Sequence, residues 1–198
     1  MFGMLNTLLH ETNENDFNKL FSRIEKYENI SDNMELEIAN YLNKVSEGRL
    51  SSESKLEIRG MLREVTEIES IGDSCYNLAR TINRKRSGGN DFTEKQYEHI
   101  HQMMQLTNDA LAHMIAVVED DHHVVDVNKS FNIENEINNY RAQLKNQNVV
   151  DVNNKEYDYQ MGVHYMDIIG ECEKLGDYVV NVVEARTNVK EKKTGDNR

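Results

Sequence analysis

The sequence predicts an all-α protein built as two tandem antiparallel three-helix bundles, the first helix shortened, and three observations lead there. Apolar residues recur at helical spacing along most of the chain, two short segments recur in the same order in each half, and no proline is present to stop a helix. The 198 residues suffice to bury a sizeable core, as one domain or as two small ones packed together.

The elements follow in order. A short helix is predicted near 2–10 and a long one over 14–46. Gly48 ends the long helix, and Ser51 to Ser54 supply N-cap residues for the next, over 51–86. That third helix carries the stripe Leu62, Val65, Ile68, Cys75, Leu78 and Ile82. Ser87-Gly88-Gly89-Asn90 is a loop. After it, Thr93 with Gln96 makes a capping box, and Phe92 with Tyr97 a hydrophobic staple, opening a helix over 93–119. Asp120 to His123 is a polar break before a helix over 124–147. Asn146 to Asn154 is another, inside which Val149-Val150-Asp151-Val152 reads as a turn between asparagines. The last helix, 154–189, carries Ile168, Cys172, Leu175, Val179 and Val182, stepping by four, three, four and three. Long helices joined by short loops are antiparallel neighbours in a bundle.

Composition narrows the function. With 35 Asp and Glu against 23 Lys and Arg, the net charge is −12, which argues against a nucleic-acid partner. The basic runs Arg84-Lys85-Arg86 and Lys190 to Lys193 come near helix ends, where they complement the helix dipole. The longest apolar run, Met114 to Val118, is too short to span a bilayer. Met1-Phe2-Gly3-Met4-Leu5 lacks the basic region and cleavage site of a signal peptide. Cys75 and Cys172 are expected to be small buried hydrophobes rather than a disulfide. No nucleophile elbow, phosphate-cradling loop, zinc spacing or dinucleotide fingerprint is present, so no enzyme is expected.

The repeat divides the chain. Met34-Glu35-Leu36-Glu37-Ile38-Ala39-Asn40-Tyr41 matches Ile133-Glu134-Asn135-Glu136-Ile137-Asn138-Asn139-Tyr140 at an offset of 99. Glu69, Gly72, Asp73 and Asn77 match Glu173, Gly176, Asp177 and Asn181 at an offset of 104. The five-residue difference is assigned to a longer second loop, at Asn146 to Asn154. Residues 1–88 then form the first unit and 91–190 the second, with a disordered tail over 191–198.

Residues at i, i+4 and i+8 line one helix face, so each cassette is a stripe of oxygen-bearing side chains. A glycine inside a helix costs about 1 kcal/mol against alanine, so its presence before each aspartate implies that another helix backbone passes close by. Glu28 and Asp32 form a further acidic i,i+4 pair. Asp32 lies about as far before the loop at 47–50 as Glu69 lies after it, so in an antiparallel hairpin the two acidic pairs meet. Four converging carboxylates repel one another unless a cation, a proton or a lysine neutralises them. Oxygen-liking cations, or iron and manganese, suit such a set. The bland alternative is neutralisation by Lys26, Arg63, Arg80 and Arg84 through ordinary ion pairs. Weaker candidates are Glu98-x-x-His101, Glu119-x-x-His122, and His122-His123 among Asp120, Asp121 and Asp126; all read as polar surface.

The doubled pattern in "EIESIGDSCYNLA" and "GECEKLGDYVVNVVEA", with its pair of three-helix units, resembles the PhoU family of phosphate-uptake regulators. That resemblance implies a six-helix fold of two symmetric bundles with acidic pairs that hold iron or zinc clusters. It would make Glu28, Asp32, Glu69 and Asp73 metal ligands in the first unit, and Glu173 and Asp177 in the second. At the offset of 99, Val127 and Phe131 stand where Glu28 and Asp32 stand in the first unit; one register back gives Asp126 and Ser130. The second site therefore lacks part or all of one helix's contribution. More narrowly, the stretch from Asn13 to Val65 is similar to the cytoplasmic C-terminal domain of bacterial sodium/phosphate cotransporters. The implied role is non-catalytic regulation of phosphate transport at the inner face of the cell membrane. The implied partners are a membrane transporter domain or a phosphate-signalling protein, and a homodimer is conceivable. A di-iron type metal-binding bundle and a metal-free interaction scaffold are the alternatives.

Overall fold

The computed structural model describes the backbone of residues 1–120 and 125–195, and side chains through Thr187. It contains six helices in chain order: α1 Phe2–His10, α2 Glu14–Ser46, α3 Ser52–Ser87, α4 Glu94–Glu119, α5 Asn128–Asn153 and α6 Tyr159–Gly195. The start signals read from sequence are present as geometry. Ser51 Oγ accepts from the Ser54 amide at 3.0 Å. Thr93 and Gln96 complete a reciprocal capping box, and the Phe92 and Tyr97 rings meet edge-on at 5.6 Å. Asn13, not singled out in the sequence, caps α2 through the amides of Asn15 and Asp16.

The core runs along the pairing of α3 with α6. Cys75, Leu78, Ala79 and Ile82 of α3 and Ile168, Ile169, Cys172, Leu175, Val179 and Val182 of α6 belong to one continuous buried cluster. Packed around this pair are α1 and α2 on the α3 side, and α4 and α5 on the α6 side. The arrangement is two antiparallel three-helix units sharing a central seam, as the periodicity predicts. Both cysteines are free, and burial pushes each thiol up to about 12. No helix among the described residues is long and apolar enough to cross a membrane.

Two readings are corrected. Val149 to Val152 is not a turn, because α5 continues to Asn153 and the chain reverses over 154–158, where Lys155 takes φ +62°. Valine and asparagine are indifferent helix formers rather than breakers, so a run of them does not end a helix without glycine or proline. Nor is the second loop longer: 47–51 and 154–158 are equal. The five-residue difference arises from the offset of 99, which the contact between α5 and α6 does not keep. The expected tail at 191–198 falls partly on the end of α6 and partly, at 196–198, outside the described residues.

Glycines on α6 differ in what surrounds them. A Cβ at Gly162 would lie 2.9 Å from Val152 Cγ2 and 3.0 Å from Asn148 Oδ1, which is held by the Tyr157 hydroxyl at 2.9 Å. A Cβ at Gly170 would meet nothing within 4 Å. Gly170→Ala should therefore raise stability by up to ~1 kcal/mol, the helix-propensity difference. Gly162→Ala should lower stability by about 1–2 kcal/mol through overpacking. Thermal unfolding followed by circular dichroism separates the two, at about 2–4 °C per kcal/mol for a chain of this size.

Candidate metal centre

The α2–α3 seam is set by Gly72. A Cβ there would lie 3.2 Å from Ser31 Oγ and 3.4 Å from Ser31 Cβ, so the glycine seats a side chain of α2 rather than its backbone, as the sequence had implied. Glu28 and Asp32 flank Ser31 along α2, and Asp73 follows Gly72 on α3. This brings one carboxylate oxygen from each of Glu28, Asp32 and Asp73 within 4.8 Å of the other two. Glu69 is not in that tight group. It stands one turn earlier on α3, where burial and then Asp73, Asp32 and Glu35 raise its carboxyl above the usual range. Glu28 is raised by burial and then by Asp32, Asp73 and Glu25.

No basic side chain among the described residues neutralises this charge by an ion pair. Arg63 turns to Glu184 at 3.1 Å, Arg84 to Asp167 at 3.9 Å, and Arg80 lies over the Tyr76 ring. No ion pair among the described residues reaches Glu28, Asp32, Glu69 or Asp73. Asp32 Oδ1 is buried without a hydrogen-bond partner, an arrangement that costs stability unless something else pairs with it. An all-oxygen set of this kind fits a hard cation such as iron(III), manganese or magnesium. It fits zinc less well, because no histidine or cysteine ligand joins the group.

The α5–α6 seam has the same construction with a different filling. Here a Cβ at Gly176 would lie 3.2 Å from Ile137 Cδ1, so Ile137 takes the place that Ser31 holds in the first unit. That pairing shifts the correspondence to an offset of 106, seven residues beyond the offset of 99. Glu28 then corresponds to Glu134, Asp32 to Asn138 and Glu35 to Arg141. Val127 and Asp126 fall before the first turn of α5, and Phe131 and Ser130 within it; none is the counterpart of Glu28 or Asp32. Arg141 Nε lies 3.3 Å from Glu173 Oε2, and Asn138 Nδ2 donates to Glu134. Glu173 and Asp177 are both raised by burial, with Arg141 pulling each back down. The second unit therefore carries its own cation where the first has only carboxylates. Asn181 turns away from this seam and donates to Glu67 Oε2 on α3 at 3.0 Å, tying the two units together.

Other sequence candidates resolve differently. His101 does not pair with Glu98 as a ligand; its Nε2 lies 2.6 Å from His10 Nε2, joining α1 to α4. His122 and His123, with Asp121, lie outside the described residues. Sequence reasoning missed Arg141, Glu134 and Asn138, because a match of five identities in eight positions outweighed the glycine register. It also missed a polar cavity of about 300 Å³ lined by Gln96, His99, Asn148, Asp151, Tyr157 and Tyr165, residues drawn from three helices and the loop before α6.

A family model described as "PhoU domain" matches residues 1–82 and 100–185. Among solved structures, the chain is similar to the phosphate transport system regulatory protein PhoU from Streptococcus pneumoniae. The identity is 16%, the TM-score 0.74, and the match covers 96% of this chain and 90% of that one. No curated protein matches.

The two seams should respond unequally to charge removal. Because the Glu28 and Glu69 carboxyls are raised in the fold, the folded state holds protons that the unfolded state has lost, so stability falls as pH climbs from about 4.5 through the raised values. In chelator at pH 7, Glu69→Gln should raise stability by about 0.5 kcal/mol, the size of a relieved like-charge pair, and the gain should vanish near pH 4. Glu173→Gln should gain less, because relief of a buried charge is offset by loss of the pairing with Arg141, worth a similar ~0.5 kcal/mol. Urea unfolding at both pH values checks the order.

Proposed function

The chain belongs to the PhoU family, and from that premise we propose that it is a regulatory domain of phosphate transport that acts by binding rather than by catalysis. Its relative from Streptococcus pneumoniae is a phosphate transport system regulatory protein, and the same kind of role is proposed here. The finer reading is the cytoplasmic domain of a sodium/phosphate cotransporter, working at the inner face of the membrane against a transporter domain. That reading is supported by the stretch from Asn13 to Val65.

The observation that carries the binding role is the convergence of Glu28, Asp32 and Asp73, with Glu69 beside them, on a seam that holds no compensating cation. In the proposed site these four residues hold a hard cation between α2 and α3. When bound, that ion supplies charge neutralisation and a crosslink between two helices, not a reactive species. Glu28 and Asp32 act from α2 and Asp73 from α3, so occupancy fixes the angle between the helices, while Gly72 keeps their spacing short. Glu173, proposed as a ligand by resemblance with Asp177, is better assigned to its ion pair with Arg141, whose charge also acts on Asp177.

A di-iron storage bundle is the poorer alternative, because the cluster sits at the surface, Asp73 being exposed, rather than inside a bundle with histidine ligands. A metal-free scaffold is the other. Metal analysis by plasma mass spectrometry decides between them, on protein made without a histidine tag and dialysed in turn against iron, manganese and zinc. The expected result is stoichiometric metal in the wild type, most readily iron or manganese, lost in Glu69→Gln/Asp73→Asn and retained in Glu173→Gln. Absence of metal under every condition would leave the carboxylates as partner-docking groups and overturn the cation site.

A further inference from the structure

Gln96 does more than close the α4 capping box. Its side-chain oxygen accepts from the Thr93 amide at 3.0 Å, which is all the box requires of it. The residue is only 2% exposed, and its Nε2 is buried with no hydrogen-bond partner. A side-chain amide carries two N–H donors. The Tyr157 hydroxyl is close enough to interact with Gln96 but can take at most one of them. A buried donor left over is unfavourable unless something accepts from it.

Gln96 lines the polar cavity of about 300 Å³ between α4, the end of α5 and the start of α6. That volume is at the lower end for small-molecule sites and suits a ligand of nucleoside size. Its walls are already held in place. Tyr157 donates to Asn148 Oδ1 at 2.9 Å, and burial pushes the tyrosine up to about 12, so the hydroxyl keeps its proton. His99 Nδ1 and the Tyr165 hydroxyl lie 2.9 Å apart. Gln147 Nε2 donates to Asp151 Oδ1 at 2.6 Å, and Lys95 Nζ lies 3.6 Å from Asp151 Oδ2. Each carboxylate oxygen can accept twice, so Asp151 has acceptor capacity to spare.

Charge and shape select the occupant. Asp151 and Glu156 outnumber Lys95 in the lining. Burial, and then Lys95, hold His99 below its ordinary value, so its ring is uncharged at neutral pH. An anion such as phosphate would therefore meet a net negative wall. The rings of His99, Tyr157 and Tyr165 favour a flat ligand, because aromatic side chains pack well against another planar ring. We propose that this cavity binds an uncharged planar heterocycle with a carbonyl beside a ring N–H, the edge presented by a uracil or guanine base. The carbonyl accepts from Gln96 Nε2, and the ring N–H donates to Asp151. The ligand thereby satisfies the donor that the fold leaves over.

The test titrates the full, isotope-labelled chain with uridine and, separately, with guanosine, following backbone and side-chain N–H signals by NMR. Saturable shifts should centre on the cavity and include the Gln96 side-chain amide; the tighter of the two nucleosides identifies the base. Uridine methylated at its ring N–H should bind at least ~10-fold more weakly, because the donor to Asp151 is gone. Gln96→Glu keeps the oxygen that accepts from Thr93, and so keeps the capping box, but replaces the free donor with an acceptor. Its affinity for the nucleoside should fall at least ~10-fold. Asp151→Ala, in the last turn of α5, should lose affinity likewise and supplies a second variant should the first not fold. Met34→Glu, on a helix that does not line the cavity, should bind as the wild type does. Circular dichroism confirms that each variant is folded. No saturable shift with either nucleoside, equal binding of the methylated uridine, or unchanged affinity in both cavity variants would overturn the proposal. So would inorganic phosphate or glucose moving the same signals with equal or higher affinity, since the occupant would then be an anion or a sugar.

Discussion

Everything else in this fold hangs on the packing of α3 against α6. These helices bring the longest apolar stripes of the chain into one continuous cluster, with Leu78, Ile168, Ile169, Leu175, Val179 and Val182 almost wholly removed from water. At roughly 25 cal/mol per Å² of buried apolar surface, this seam supplies the dominant stabilisation and fixes the direction of both helices. Polar links then set the registration: Arg63 with Glu184, and Asn181 with Glu67, both running from α3 to α6. Around this pair α2 packs mainly on α3, whereas α5 packs on both α6 and α4, and what fills the two outer seams differs.

It does differ. Each outer seam has a glycine on the central helix and a small or aliphatic side chain seated against it, Ser31 on Gly72 and Ile137 on Gly176. Around that common contact the first unit gathers carboxylates, and the second pairs Glu173 with Arg141. A guanidinium carried by the chain holds α5 to α6 without any external ion, and it lowers the very carboxyls that burial raises. The carboxylates on α2 and α3 have no such cation, so burial first and their mutual repulsion second hold Glu28 and Glu69 above the usual range. Two seams of one architecture thus differ in whether the chain supplies its own cation.

The helices were legible because their signals are local. Capping at Ser51 and Thr93, the loop at Gly88-Gly89, and the three-and-four spacing of Ile168 to Val182 all act within one or two turns. The convergence of Glu28, Asp32 and Asp73 was legible too, since an antiparallel hairpin makes register a matter of counting from the loop. What was not legible was how α5 meets α6. Similarity between residues 34–41 and 133–140 suggested one alignment, but a helix can slide by seven residues and present nearly the same face. Only the seating of Ile137 on Gly176 distinguishes the two registers, and that contact lies between elements. For the same reason Arg141 was invisible as a site residue, and the stretch from Val149 to Val152 read as a turn although no backbone signal ends the helix there.

Cys75 and Cys172 sit on the two halves of the central seam, both free and both with thiols raised to about 12 by burial. A thiol in that state is protonated at neutral pH and shielded from reagents, so alkylation requires the core to part. The chain therefore carries an internal clock. The rate at which a thiol reagent modifies these two residues measures how often α3 and α6 come apart, on the molecule as it is, with no engineered label.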